Sequence, residues 1–408
     1  MKMGKHILVV AQYFYPEQFR INDICEEWIK RGYKVTVLTG IPNYPQGKYF
    51  VGYGLFKKRR EKYKGIEIIR IPLVPRGRNS IMLVLNYLSF VISGFLFTKF
   101  TKLKADCVFI HEVSPMTQAL PGVWFAKRRK IPCILYVTDL WPENVEIVAG
   151  IKNKTILNLI GRMVDYIYRY CNKILTSSQS FISAIEARGI SASKIEFWPH
   201  YAEDFYIPIP KGRANITQMP NNGWFNIIFT GNIGYAQGLE VLPKTAEILK
   251  KGAIKVRFNL VGDGRAKNDL INTIKRLDVS EYFNFINKQP AIQIPSFISV
   301  SDAALICLSK SKVFEMTLPT KLQSYMACGA PIIVSADGEV AKVVQVADAG
   351  VCSSSGNAQG LAEIIIKLIQ CPQERLAEIS GNAVKYYQKH FDKKLLLDRA
   401  DEIFLEEE

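Results

Sequence analysis

Several common signatures are missing from this chain. Its eight cysteines, at 25, 107, 133, 171, 307, 328, 352 and 371, never form a C-x-x-C pair. That removes zinc-ribbon and dithiol motifs and leaves no disulfide framework, so reduced thiols in a cytoplasmic setting are expected. No repeat of the length that builds solenoids or propellers is present, and no low-complexity tract interrupts the chain. No Asp-x-Asp pair occurs, so the sequence carries no common metal-diphosphate signature. The apolar run Ile7–Ala11 is too short for a signal-peptide core and reads as a first buried strand.

What the chain does have is length, apolar content and positive charge. At 408 residues it is too long for one ordinary domain. Hydrophobic content of 48% and charged content of 22% are those of a folded globular protein. The formal net charge of +16 implies an anionic partner: nucleic acid, an acidic membrane surface or phosphorylated substrates. Basic residues cluster in KKRREKYK (57–64) and KRRK (127–130). Such runs are usually solvated faces. Here they accompany NSIMLVLNYLSFVISGFLFTKF (79–100), which is nearly uncharged and interrupted by Asn86, Ser89 and Ser93. A buried or interfacial helix is expected there rather than a true span. A basic surface beside an apolar helix suits a peripheral protein on an anionic membrane face. No nucleic-acid motif accompanies the charge.

Short apolar strands alternate with helical stretches throughout. In the first half they are HILVVAQ, KVTVLTG, IEIIRIP, CVFIHE, CILYVTD, KILTSS and IEFWP. Residues 199–224, rich in Pro, Asn and Gly, break the rhythm and read as a linker. Alternation restarts with FNIIFTG, KVRFNLVG, FNFIN, AALICLS, PIIVSA and GVCS. The pattern predicts an α/β protein of two doubly wound, Rossmann-like domains facing a cleft, over 1–198 and 225–385. Residues 386–408 are expected to form a C-terminal helix. Ligands of open parallel sheets bind at the carboxyl ends of their strands.

Three loops at such strand ends are unusual. After FNIIF come Gly231, Asn232 and Gly234, with Gln237-Gly238 opening a predicted helix. LVGDGRAK repeats the design at Gly262, with Arg265 and Lys267 beside the turn. Glycines let backbone approach a ligand, and a helix start offers N–H groups to an anion. The third, VFEMTLPTKLQSYMACGAPIIVS (313–335), places Glu315 and Lys321 around a helix start marked by Leu318, Pro319 and Thr320. Thr317 or Thr320 could cap that helix. Lysine at a helix start opposes the dipole, which an anion bound there would explain.

PTKLQSYMACGAPIIVSADGE followed by AGVCSSSGNAQGLAEII resembles the C-terminal half of family 4 retaining glycosyltransferases, which have the GT-B fold. FTGNIG…QGLE, LVGDG and VSDAALICLS fall in the family's order, and RGYKVTVLTG and IHEVSPMTQALPG match its first half. TGIPNYPQGKYF and DLWPENV look like the subgroup that builds bacterial O-antigen or capsule repeat units, many of which transfer N-acetylated deoxy sugars such as N-acetylfucosamine from UDP. The departures are specific. Ser324 stands where the family's second glutamate holds the ribose, and Glu315 lies one residue farther from it than the pattern requires. Asn232 and Gln237 replace the usual arginine and lysine at the diphosphate. Lys321, Arg265 or Lys267 must then supply that charge, or an arginine must reach across the cleft. Arg20, in place of the usual Gly-Gly pair, is a candidate to face phosphate.

The resemblance further implies that the C-terminal helix returns to the first domain, that His111 lies against the donor sugar and that Asn287 belongs to the donor-binding set. Asp139 could meet the acceptor or cap the following turn. The implied reaction is transfer of a sugar from UDP, with retention, to a polyprenyl-diphosphate-linked saccharide. It needs no metal or other cofactor and takes place at the inner face of the cell membrane. His111, Glu315 and Lys321 are the expected catalytic residues. A nucleotide-sugar epimerase of the same fold and an inactive donor-binding partner are the alternatives.

Overall fold

The computed structural model describes residues 4–406, apart from 78, 146–152, 211, 215 and 221. It consists of two compact units, Met1–Trp198 with Ala400–Glu408, and Pro199–Arg399. All eight cysteines are free thiols.

The first unit is built on β1 (His6–Val10), β2 (Lys34–Gly40), β3 (Arg60–Tyr63), β4 (Ile66–Ile71), β5 (Cys107–Glu112), β6 (Cys133–Val137), β7 (Lys173–Thr176) and β8 (Ile195–Phe197). They form one sheet in the order β3-β4-β2-β1-β5-β6-β7-β8, parallel except for β3. β5 and β6 are buried at every residue. This explains their unbroken apolar runs, because both faces of such a sheet are covered. The chain leaves β1 toward one edge, then returns to lay β5 against its other side. The reversal therefore falls between β1 and β5, which are paired from Ile7↔Cys107 to Val10↔Ile110.

The first of the covering helices, α1 (Arg20–Lys30), ends at Gly32, whose φ of 90° lets the chain turn back into β2. The final helix belongs in part to this unit. Phe404 packs edge-on against Trp28, with ring centroids 5.2 Å apart, and Asp401 pairs with Arg31 at 2.8 Å.

β3 is not legible as a strand in the sequence, because it lies inside the basic run 57–64. Arg60 and Lys62 point to solvent while Glu61 and Tyr63 are half-buried. Charge of this kind keeps an edge strand from pairing with another chain. The KRRK run ends α3 (Ala119–Arg129), where cations complement the helix dipole.

α2 (Ser80–Phe100) is amphipathic in the reverse sense. Its buried positions are Asn86, Phe90, Gly94 and Thr98, one stripe at four-residue spacing. Asn86 Oδ1 accepts from Gln12 Nε2 at 2.7 Å, and its Nδ2 donates to the Val74 carbonyl at 2.6 Å. Thr98 Oγ1 donates to the Gly94 carbonyl at 2.8 Å. At Gly94 a Cβ would stand 2.3 Å from Pro121 of α3, so only glycine permits this approach. The outward face carries Ile81, Val84, Leu85, Leu88, Ile92, Phe95, Leu96 and Phe100, all exposed. Val51 and Phe56 are also almost fully exposed, and Phe56 immediately precedes Lys57 and Lys58.

The second unit carries β9 (Phe225–Asn232), β10 (Val256–Asp263), β11 (Phe283–Ile286), β12 (Ala303–Cys307), β13 (Ile332–Ser335) and β14 (Gly350–Ser353). The order is β11-β10-β9-β12-β13-β14, with every pairing parallel. Here the reversal falls between β9 and β12. The core joins both halves through Phe229, Phe258, Leu260, Leu305 and Ile333. Residues 199–224, expected as a linker, are part of this unit. The expected boundary at 385 falls inside a helix, Gln373–His390, and a second helix, Lys393–Glu406, follows.

Candidate active site

In the second unit the glycine loops crowd together at the carboxyl ends of β9 and β10. Gly231 and Gly262 are register partners. Their φ values are 127° and 151°, and a Cβ on Gly262 would lie 1.9 Å from the Gly231 carbonyl oxygen. No side chain fits there, so this rim is bare backbone. Asn232, exposed at the end of β9, lies over the next turn, where a Cβ on Gly234 would stand 2.6 Å from its Nδ2. Tyr325 braces the site from behind: its hydroxyl accepts the Thr230 N–H at 2.9 Å. Gln237-Gly238 does not open the helix as expected. Two short 3-10 turns intervene before α4 (Leu242–Lys251) begins. The detour presses Gly238, at φ 62°, onto the Leu308–Ser309 backbone that follows β12.

Lys321 enters this rim from α5 (Thr320–Ala327), the second helix between β12 and β13. Its Nζ donates to Gln237 Oε1 and stands 4.8 Å over the Phe229 ring. It is also 3.8 Å from where a Cβ on Gly231 would be. Among the described residues no carboxylate is paired with it. Burial lowers its pKa to about 8, so the ammonium form still dominates at neutral pH. α5 begins at Pro319 with no side-chain cap, leaving the positive end of its dipole beside this ammonium. Neither threonine serves as the cap. Thr317 Oγ1 donates to the Val313 carbonyl at 2.8 Å, and Thr320 is exposed in the first turn. The glycines, Gln237, Lys321 and the helix start thus share the point where the strand order reverses, the position at which open α/β sheets take ligands.

The remaining expected residues divide. Glu315 is half-buried in the short helix Lys312–Met316, and Gly338 (φ 79°) packs so closely that a Cβ would lie 2.0 Å from the Glu315 carbonyl oxygen. Between Glu315 and Ser324 the chain passes through a joint in which Thr317 and Pro319 are extended and Leu318 is buried. Ser324 is buried too, but its hydroxyl donates to the Thr320 carbonyl of its own helix at 3.3 Å. Arg265 and Asn287 are exposed on the loops after β10 and β11. Lys267 Nζ lies 3.8 Å from Asp263 Oδ1 and is partly neutralised by it.

In the first unit the equivalent reversal point gathers His111, Arg20 and Tyr136. His111, the penultimate residue of β5, has 3% of its surface exposed, and among the described residues neither ring nitrogen has a partner. Tyr136 packs against it at 5.6 Å. Burial and then the positive charge of Arg20 lower the His111 pKa to about 3. The imidazole is therefore neutral, with one N–H donor and one acceptor to offer. Arg20 reaches it from the first turn of α1, after β1.

Glu112, the next residue, does not stand out in the sequence. Its side chain is fully buried, with Oε2 accepting the Asp139 N–H at 3.3 Å and Oε1 unpaired. Burial, and then the negative Asp139, push its pKa well above the ordinary carboxylate range. Asp139, expected either to meet the acceptor or to cap the turn that follows it, is half-buried just after β6. Its Oδ2 accepts the Ser114 N–H at 2.8 Å and so ties the β5 and β6 loops together. The signal for Glu112 is a charged residue closing an otherwise apolar strand. Gln237 reads in the sequence as a lost cation, and nothing local reveals that it holds one.

Two family matches tile the chain. Residues 18–200 match the Glycosyl transferase 4-like domain, and residues 218–386 match Glycosyl transferases group 1. The chain is a GT-B glycosyltransferase and belongs to the group 1 family. The colanic acid biosynthesis glycosyl transferase WcaI of Escherichia coli K12 is 24% identical over 349 residues, covering 81% of this chain and 83% of the relative. Among solved structures, sucrose-phosphate synthase from Thermosynechococcus elongatus superposes with a TM-score of 0.78 at 12% identity, covering 98% of both chains. HepE from Anabaena, in complex with UDP and glucose, gives 0.70 at 16% identity, covering 98% of this chain and 99% of that one.

Proposed function

We propose that the enzyme transfers a sugar from a UDP-sugar, with retention, to a lipid-linked saccharide during cell-surface polysaccharide synthesis. The observation that carries this reading is Lys321. Among the described residues it is an ammonium without a counter-ion, set among bare glycine backbone and an uncapped helix start. That combination suits a diphosphate, whose leaving charge must be stabilised as the glycosidic bond breaks. Lys321 and the α5 N–H groups would supply this stabilisation, so no metal ion is invoked. Glu315 would orient donor hydroxyls, and the neutral imidazole of His111 would hydrogen-bond the donor sugar. In front-face attack the acceptor hydroxyl passes its proton to the departing phosphate oxygen, and UDP leaves as the new glycosidic bond forms. UDP and glucose in the HepE complex, and the colanic acid role in the name of WcaI, support the donor class and the pathway type. An N-acetylated deoxy sugar and a polyprenyl-diphosphate carrier complete the reading.

The exposed apolar face of α2, the Val51/Phe56 tip beside Lys57 and Lys58, and the net charge of +16 support a peripheral position on the inner face of an anionic membrane. The test is UDP release on adding lipid-linked acceptor to enzyme and a panel of UDP-sugars. Acceptor-dependent release from one donor is expected. Release without acceptor would favour an epimerase-like or hydrolytic activity, and no turnover with any donor would favour an inactive donor-binding partner. Thermal shift identifies the donor beforehand, since ligand at about 100 Kd stabilises by roughly 2.7 kcal/mol.

A further inference from the structure

We propose that Arg76 receives the phosphate of the acceptor's lipid carrier, in a tyrosine cage at the head of the apolar face of α2. The inference rests on the glycosyl-transfer reading and deepens it, by giving the lipid-linked acceptor a binding site.

Arg76 lies on the segment joining β4 to α2. Its backbone N–H donates to Asn43 Oδ1 at 2.9 Å, which fixes it against the loop after β2. The guanidinium lies over the Tyr44 ring at 5.3 Å, with Nη1 3.5 Å from the Tyr13 hydroxyl. Tyr13, Phe19 and Tyr44 pack on one another with ring centroids 5.3–5.4 Å apart. Tyr87, from the second turn of α2, closes the cage within electrostatic reach of Arg76, Tyr44 and Asp139. Burial raises the pKa of both Tyr13 and Tyr87, so their phenols stay protonated and can donate.

The cage therefore presents O–H and N–H donors around one permanent positive charge. Among the described residues no carboxylate is paired with Arg76. The two carboxylates that influence the cage phenols are engaged elsewhere. Asp139 Oδ2 accepts the Ser114 N–H, and Glu17 accepts the N–H groups of Phe14, Asn43 and Tyr44. A half-buried guanidinium without a counter-ion matches the several acceptor oxygens of a phosphate.

The helix next to Arg76 selects the kind of phosphate. Tyr87 precedes Leu88 and lies beside the exposed stripe Ile81, Val84, Leu85, Leu88 and Ile92. A ligand with a phosphate head and a hydrocarbon tail fills both features at once. A nucleotide or inorganic phosphate would leave the stripe bare. A polyprenyl diphosphate bearing the acceptor saccharide has this chemistry, and the rim that holds His111 and Arg20 belongs to the same unit.

The test uses the full-length protein in nonionic detergent micelles with saturating UDP, so that the donor site is filled. Binding of geranylgeranyl diphosphate is measured beside geranylgeraniol and inorganic diphosphate. The lipid diphosphate should bind at least tenfold more tightly than either comparator. Arg76→Ala should abolish that advantage and Arg76→Lys should retain part of it, with the UDP affinity of both variants unchanged. Unaltered binding in R76A overturns the proposal. So does equal affinity for inorganic diphosphate, which makes the cage a simple anion site, or for geranylgeraniol, which leaves the apolar face alone responsible. Loss of retention on phosphatidylglycerol vesicles in R76A, with micellar binding intact, also overturns it, by making Arg76 a bilayer contact. If UDP itself fails to bind, the donor reading fails separately. The lipid titration is then read in a Lys321→Ala background without UDP.

Discussion

The two units place their functional side chains by the same topological rule and prepare them in opposite ways. In each, the strand order reverses beside the unit's first strand, at β1/β5 and at β9/β12, and the unusual residues gather at that reversal. In the second unit the glycine rim is bare backbone and, among the described residues, holds the Lys321 ammonium with no counter-ion. In the first, His111 and Glu112 are buried without a full set of partners among the described residues; His111 is held neutral and burial raises the pKa of Glu112. Under the proposed function, one rim would meet the departing charge and the other the hydroxyls of the sugar. A single architecture thus supports both tasks, because burial raises the cost of charge wherever no ligand compensates it.

Replacing Lys321 by Ala should do most to separate the units. UDP affinity should fall roughly 100-fold, as befits a lost charge-assisted contact in a half-buried site. Calorimetric titration checks this, and unchanged affinity would remove the basis for a diphosphate site. His111→Leu should act in the reverse sense. UDP affinity should stay within about twofold while the transfer rate drops about 30-fold or more. Thermal stability should hold or rise, because an imidazole buried without partners costs about 1–3 kcal/mol. A marked loss of stability would show that His111 is a packing residue.

The pH dependence should also differ between the rims. A Lys321 pKa of about 8 means that free enzyme loses this charge as pH rises through 8. UDP affinity should be flat below that value and decline above it, approaching tenfold per pH unit. Lys321→Arg should flatten the decline, since guanidinium keeps its proton. His111, with a pKa of about 3, should contribute no titration near neutrality. The smallest effect belongs to Ser324→Ala, less than about threefold in UDP affinity, because its hydroxyl already donates to its own helix.

The strands are legible because alternation of apolar runs and helical stretches is a local property, and all thirteen runs named from the sequence are strands in the structure. β3 is hidden because an edge strand needs no apolar face, and its charges read as a solvated run. Residues 199–224 look like a linker because their Pro and Gly content reports irregular backbone, and irregular backbone can still pack on a domain. In the site, the glycine turns are visible because positive φ restricts residue choice locally. The pairing of Gln237 with Lys321 spans 84 residues of sequence, and no local rule reports it. Ser324 misleads for a similar reason. Its place in a motif is a matter of sequence, whereas the direction of its hydroxyl is set by the helix.

The inverted α2 has a practical consequence for handling the enzyme. Salt weakens attraction between basic residues and an anionic bilayer but strengthens apolar association. If α2 is the principal contact, a salt wash should leave the enzyme on the bilayer and a mild nonionic detergent should release it. Once released into plain buffer, the same eight apolar side chains have only other copies of the chain to cover them. Its apparent mass should then rise with concentration and with salt, and fall when micelles are added.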